Sequence, residues 1–309
     1  MPHPITRRDT LRAVPMAGAA MQARAAGRIQ IGMSTNDFRE FSNAGLAKEL
    51  AGQGIRTIQL FFTQTDSNYW RYGRRSDLAG LTPERAREIA AAYRSQGISI
   101  HSMGVYATLV HGDVAERKAN LGYFEAMMKI GGHMGVRTFI TEAGHYQPPG
   151  PAPNVPYDYQ DEVWKMAVAT VKELAAMAAA HDATVLLEPI YRSIFASAKR
   201  TRVFLEEAAS PRIRALLDPA NLLEVNDLEE MFDQLGDWID CVHAKDRKLH
   251  VTAGVAAGEG DLDYPKLVRL VAAKTPQAPL ILEYAGAKNY RQALNHLRTA
   301  IREAGLAEA

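Results

Sequence analysis

The chain has 309 residues, 47% of them hydrophobic, and a formal net charge of +1. That length and apolar content supply a sizeable core, arranged as one large α/β domain or two smaller ones. The balanced charge argues against a nucleic-acid-binding tail or an acidic segment, and the single cysteine, Cys241, excludes an intramolecular disulfide.

In chain order, the first feature is residues 1–25. Arg7-Arg8 is followed by Leu11, a mildly apolar stretch from Ala13 to Met21, and Ala23-Arg24-Ala25, a small-x-small cleavage pattern. This resembles a twin-arginine export signal, with a mature catalytic domain of residues 26–309 and a periplasmic or exported location; otherwise the protein is cytoplasmic. No later apolar run is long enough to span a membrane.

From Ile29 onward, short β-rich runs alternate with helical stretches. The predicted strands are 29–33, 55–62, 98–103, 136–141, 184–188, 213–218, 239–244 and 279–284. Each is apolar on both faces, as expected when helices cover a parallel sheet. Between them lie helical patterns such as "TPERAREIAAAYRSQG", with Thr82 as N-cap, Pro83 in the first turn and Gly97 past the end. Eight strands, each followed by a helix, predict an α/β fold of the (β/α)8 TIM-barrel type. The runner-up, a doubly wound open sheet, wants a glycine-rich phosphate turn after its first strand, and "GMSTNDFREF" has none.

Two post-strand loops are long. Residues 63–80 carry Trp70 with two tyrosines and several arginines, and residues 143–159 are stiffened by prolines. Barrel active sites are built from the loops on this face, so both are candidate lids or substrate walls.

The strand ends carry the chemistry. Glu188 ends the fifth run, Asp218 the sixth, His243 lies near the end of the seventh and Glu283 near the end of the eighth. Neighbouring strand ends converge on one cavity. Three carboxylates and an imidazole brought together there repel one another and lose solvation unless a cation sits among them. Oxygen-rich ligation with one histidine suits one divalent ion, Mn²⁺ first, with Mg²⁺, Co²⁺ or Zn²⁺ as alternatives. Other polar residues near the strand ends are Glu142, His145, Asn221, Lys245 and Asp246, which with Trp70 are candidate substrate-binding residues. His101, on the third strand, points either into the barrel or outward. Asp261 or Asp263 is the N-cap of the helix after "GEG".

The motifs "LLEP", "LLDPANLL", "VHAKD", "GEGDLDY" and "LILEY", in this order and spacing, resemble those of the xylose isomerase-like barrels, within the sugar-phosphate isomerases and epimerases. The resemblance covers roughly 29–305. It implies that Glu188, Asp218, His243 and Glu283 hold one divalent metal and that Glu188 and Glu283 are the acid–base pair of a sugar isomerase or epimerase. Such an enzyme removes a proton beside a carbonyl and passes through an enediolate. The sequence departs from the ketose 3-epimerases of that group at two positions. Asn221 stands where they carry a substrate-binding histidine, and Leu249 where they carry an arginine.

Other functions on the same barrel are a lyase or hydrolase cleaving 3-keto-glycosides by elimination, and an endonuclease IV-like phosphodiesterase. The latter is disfavoured because it needs more strand-end histidines and a basic face. A catalytically silent sugar-binding barrel is a further alternative. The expected partner is a small carbohydrate, with no nucleic acid; a homo-oligomer is left open.

Overall fold

The computed structural model describes residues 27–309 apart from 147, 149–155 and 252. The predicted export signal lies outside these residues. Eight parallel strands close into a barrel: β1 (Ile31–Ser34), β2 (Thr57–Leu60), β3 (Ser99–Gly104), β4 (Thr138–Thr141), β5 (Thr184–Leu187), β6 (Ile213–Leu217), β7 (Ile239–Ala244) and β8 (Leu280–Leu282). Closure is made by β8, where Leu280 pairs with Ile31 of β1 on one side and Val242 of β7 on the other. The open doubly wound sheet is thereby excluded.

Each strand is followed by a helix: α1 (Asn43–Gly52), α2 (Pro83–Arg94), α3 (Val114–Met134), α4 (Asp161–Ala180), α5 (Ala198–Ala208), α6 (Leu228–Leu235), α7 (Tyr264–Lys274) and α8 (Tyr290–Glu303). The starts follow from side-chain caps. Thr82 Oγ1 accepts the Arg85 amide at 3.2 Å, Asp227 Oδ1 that of Glu230 at 2.8 Å, and Asp263 Oδ1 that of Lys266 at 2.9 Å. Each satisfies an amide that the helix itself leaves open. Asp263 is therefore the cap before α7, and Asp261 instead accepts the Leu249 amide at 2.8 Å.

The ladder slips by one residue twice. Ile58 pairs with Ile100 but Gln59 with Ser102, so His101 is a bulge residue of β3. Ala215 pairs with Ile239 but Leu216 with Cys241, so Asp240 is a bulge residue of β7. The second bulge gives Arg214, a charged residue within β6, its partner: Arg214 Nε lies 2.5 Å from Asp240 Oδ2, and its Nη2 donates to the Asp237 carbonyl. The strand charge is paired rather than stranded. His101 is largely buried and bonded to Ser102, away from the strand-end cluster; burial lowers its pKa, partly offset by Asp240.

The observed strands are shorter than the apolar runs. Glu188 and Glu283 lie one residue beyond the ends of β5 and β8, although their amides still bond to Thr141 and Ala244 on the neighbouring strands. The backbone leaves the ladder where its side chains stop packing and start facing the mouth. Gly104, the last residue of β3, is required by close approach, because a Cβ there would fall 2.2 Å from the Phe61 ring. No helix among the described residues is long and apolar enough to cross a membrane.

Candidate metal and active site

Glu188, Asp218, His243 and Glu283 meet at the C-terminal mouth, each offering a ligand atom within 4.8 Å of the others. His243 Nδ1 is the centre. It lies 3.4 Å from Glu188 Oε1, 3.5 Å from Glu283 Oε2 and 3.8 Å from Asp218 Oδ2. On the far side of the ring, Nε2 is 2.9 Å from Gln59 Oε1. Gln59 is fully buried on β2, and its amide nitrogen donates to Ser102. Its oxygen therefore accepts a proton from Nε2, so Nδ1 is the nitrogen that faces the carboxylates.

Four of the facing atoms, Asp218 Oδ1, Asp218 Oδ2, His243 Nδ1 and Glu283 Oε2, are buried and make no hydrogen bond. Buried polar atoms of native proteins are almost always satisfied. These four are all potential metal ligands and are clustered in one place. Three carboxylates and one imidazole form a hard, oxygen-rich donor set, and these residues fit one divalent cation.

The carboxylates hold positive charge on the groups already beside them. Burial opposes protonation of His243, yet Glu283 and Glu188 raise its pKa to about 10. Burial opposes ionisation of Asp218, but Lys245 and His243 outweigh it and hold the carboxyl at about 2. Lys245 Nζ is 2.6 Å from Asp218 Oδ2 and 3.3 Å from Glu283 Oε2. The Asp218 contact is an ion pair without hydrogen-bond alignment. Burial disfavours the ammonium, but Asp218, Glu283 and Glu188 keep it charged well above the usual lysine range.

Lys245 also fixes Glu188 through a relay. Its Nζ donates to Asn221 Oδ1 at 3.0 Å, and Asn221 Nδ2 donates to Glu188 Oε1 at 3.1 Å. Tyr106 donates to the other oxygen, Glu188 Oε2, at 2.6 Å. Burial and the nearby carboxylates push the Tyr106 phenol well above its ordinary range, so it stays a donor. Glu188 is thus held at both oxygens. Glu283 is partly exposed, at 12%, and its Oε2 meets the Lys245 ammonium without making a hydrogen bond. The residue after it, Tyr284, has φ of 54°, a left-handed conformation that a tyrosine adopts only under constraint, and its ring lies under the Lys245 ammonium at 4.8 Å.

Above the cluster is a cavity of about 350 Å³ whose walls include Trp70, Tyr72, Tyr106, Glu142, Asn221 and Arg247. Trp70 packs edge-on against Phe61 at 5.0 Å, and its buried indole N–H has no partner. The same holds for Oδ1 of Asn36, another lining residue. Glu142 accepts a 2.6 Å bond from Tyr72; burial and then Glu188 push its carboxyl up to about 7.

Of the remaining candidates, Lys245 and Asn221 contact the ligands. His145 lines a neighbouring pocket, exposed and paired with Asp158 at 3.2 Å. Asp246 is buried away from the lining and accepts the amides of Arg247, Gly258 and Leu262, which holds the loop after β7.

Gln59, Tyr106, Tyr72 and Arg247 were not singled out from sequence. A glutamine inside the apolar run "TIQLFF" and a tyrosine just past β3 in "GVYA" were the available signals. Arg247 lies two residues before the half-exposed Leu249, and bonds the Ala220 and Val251 carbonyls from the cavity wall.

Residues 47–300 match the family model described as xylose isomerase-like TIM barrel. No curated protein matches the chain by sequence. Among solved structures, 3-keto-D-glucoside 4-epimerase from E. coli is 19% identical with TM-score 0.67, over 88% of this chain and 100% of that one. The probable 3-DHS dehydratase of petrobactin synthesis from Bacillus anthracis is 18% identical with TM-score 0.70, over 88% and 98%. D-Psicose 3-epimerase from Clostridium cellulolyticum H10 is 14% identical with TM-score 0.67, over 91% and 100%. At these identities the structures share the fold. The family match, spanning most of the barrel, agrees with the closed eight-stranded sheet: the chain belongs to the xylose isomerase-like TIM barrel family.

Proposed function

We propose that the protein is a divalent-metal-dependent sugar isomerase or epimerase, with Mn²⁺ as the preferred ion, moving a proton at the carbon beside a carbonyl. The observation that carries this is the set of potential ligand atoms without hydrogen bonds on Asp218, His243 and Glu283, converging with Glu188 beneath a cavity of sugar size. When bound, the metal supplies positive charge against the oxyanion that develops on the substrate carbonyl. Glu188 and Glu283, with β6 and β7 between their strands, approach the reacting carbon from different directions. One takes the proton and the other returns one. Glu283 faces the Lys245 ammonium through Oε2, which makes no hydrogen bond, whereas Glu188 is oriented by Tyr106 and Asn221. The lone Trp70 donor and Asn36 acceptor suit a polyhydroxylated substrate. Two structural relatives named as epimerases of a keto-glucoside and of psicose support the substrate class.

A second reading is elimination from a keto-glycoside. It is favoured by Glu142, which at about pH 7 still holds a proton at the cavity wall and could protonate a departing oxygen. Export through the Arg7-Arg8 segment is part of the proposal and is tested by fractionating expressing cells.

The deciding experiment is a metal-loaded activity screen in D₂O, read by NMR with keto sugars and keto-glycosides. Deuterium entering beside the carbonyl supports the reading. A tightly bound metal with no exchange on any of them counts against it, and failure to bind a divalent metal overturns the site.

A further inference from the structure

We propose that the pocket beside the cavity is a subsite for the group attached to the sugar, so that the substrate is a glycoside of a keto sugar rather than a free ketose. This rests on the sugar proton-transfer reading above. The pocket has a volume of about 160 Å³ and lies against the main cavity, the two sharing Tyr72, Tyr106 and Glu142 as lining. A ring placed over Glu188 and Glu283 therefore has a neighbouring space, reached past these three side chains, that a lone monosaccharide leaves empty.

The pocket is built rather than incidental. Part of its lining comes from the loops just after β3 and β4, where Ala107, Thr108 and Gly144 keep the side chains small. Gly144 has φ of 73°, and a Cβ there would come 2.9 Å from the Thr108 methyl. The two loops are tied by the Leu109 amide to the Ala143 carbonyl at 2.9 Å. Asn120 at the start of α3 holds the Thr108 carbonyl at 2.7 Å, and Arg75 reaches Asn120 at 2.6 Å, so the long loop after β2 is fastened to the same point. Asp158 fixes the Tyr146 amide and His145 on the other flank.

The lining chemistry selects the occupant. The rings of Tyr72 and Tyr106 lie 5.7 Å apart and give an apolar flank for a sugar or aryl ring. Glu142 and His145 supply polar contacts, and among the described residues no lysine or arginine lines the pocket. A phosphate beside Glu142 would meet a carboxyl without compensating fixed cations. The subsite therefore takes a neutral ring, sugar or aromatic, and a sugar phosphate is disfavoured.

The test uses the Mn²⁺-loaded full chain in D₂O, with NMR following exchange beside the carbonyl of 3-keto-glucose and of its methyl and phenyl glycosides. We expect kcat/KM to rise at least about tenfold from the methyl to the phenyl glycoside, the scale of filling an apolar pocket. Ala107→Leu or Thr108→Leu, which narrow the pocket, should collapse that ratio toward one. Equal values for the methyl and phenyl glycosides in the unmodified protein overturn the subsite, as does a free keto sugar turned over fastest. If a variant fails to fold by circular dichroism, the substrate series decides alone. Absence of exchange with all three sugars overturns the proton-transfer reading itself, and the subsite with it.

Discussion

Gln59→Leu isolates a residue that touches neither substrate nor the ligand atoms facing the cavity. Gln59 Oε1 accepts the Nε2 proton of His243 at 2.9 Å, with both side chains fully buried. Leucine has similar bulk but no acceptor, so the imidazole N–H is left unsatisfied and the ring loses its preferred tautomer. An unmet buried donor costs about 1–3 kcal/mol. Loss of a ligand's supporting hydrogen bond typically weakens metal affinity about 10- to 100-fold, which is about 1.4–2.7 kcal/mol, and the two ranges agree. The assay is a competition titration of Mn²⁺ against a chelator, with circular dichroism to confirm the fold. Gln59→Glu retains an acceptor and should bind at least as tightly as the unmodified protein. A folded Gln59→Leu protein with Mn²⁺ affinity within twofold of wild type refutes the argument that this bond orients the ligand.

Glu188→Gln and Glu283→Gln should each lower solvent deuterium exchange by about 10²- to 10⁴-fold, the usual weight of a positioned acid or base; substantial exchange in either, measured by NMR, removes it from the proton path. Lys245→Met leaves Asp218 and Glu283 buried without their cation. The metal-free protein should lose about 3–5 kcal/mol, read as a lower Tm that Mn²⁺ largely restores; an unchanged Tm means the ammonium does not hold the carboxylates together. Glu142 has a folded pKa raised from 4.5 to about 7, chiefly by burial. Its favourable contribution is complete below pH 4.5 and disappears as pH rises through 7. Relative to Glu142→Gln, the metal-free wild type should therefore lose stability between pH 4.5 and 7 in urea titrations. Parallel pH dependences of the two proteins contradict that assignment.

Much of the architecture is legible in the chain because the physics behind it is local. Alternating apolar runs and capped helices announce eight strand–helix units, and Thr82 and Asp263 mark helix starts through bonds three residues long. Glu188, Asp218, His243 and Glu283 stand out for the same reason: a charged or imidazole group at the end of a buried run needs an explanation. Tertiary structure alone decided what surrounds them. The Gln59–His243 bond joins residues 184 positions apart, and the Tyr106–Glu188 bond residues 82 apart. Neither has a periodic or spacing signature. The slips at His101 and Asp240 are equally silent, since a bulge depends on how two strands register and not on either run by itself. Asp246, adjacent to a cavity-facing lysine, turned out to hold three loop amides, because a side chain's role follows the direction in which the closed barrel points it. Local pattern thus determined which residues reach the mouth, while barrel closure, by bringing distant strands within hydrogen-bond range, decided which of them meet.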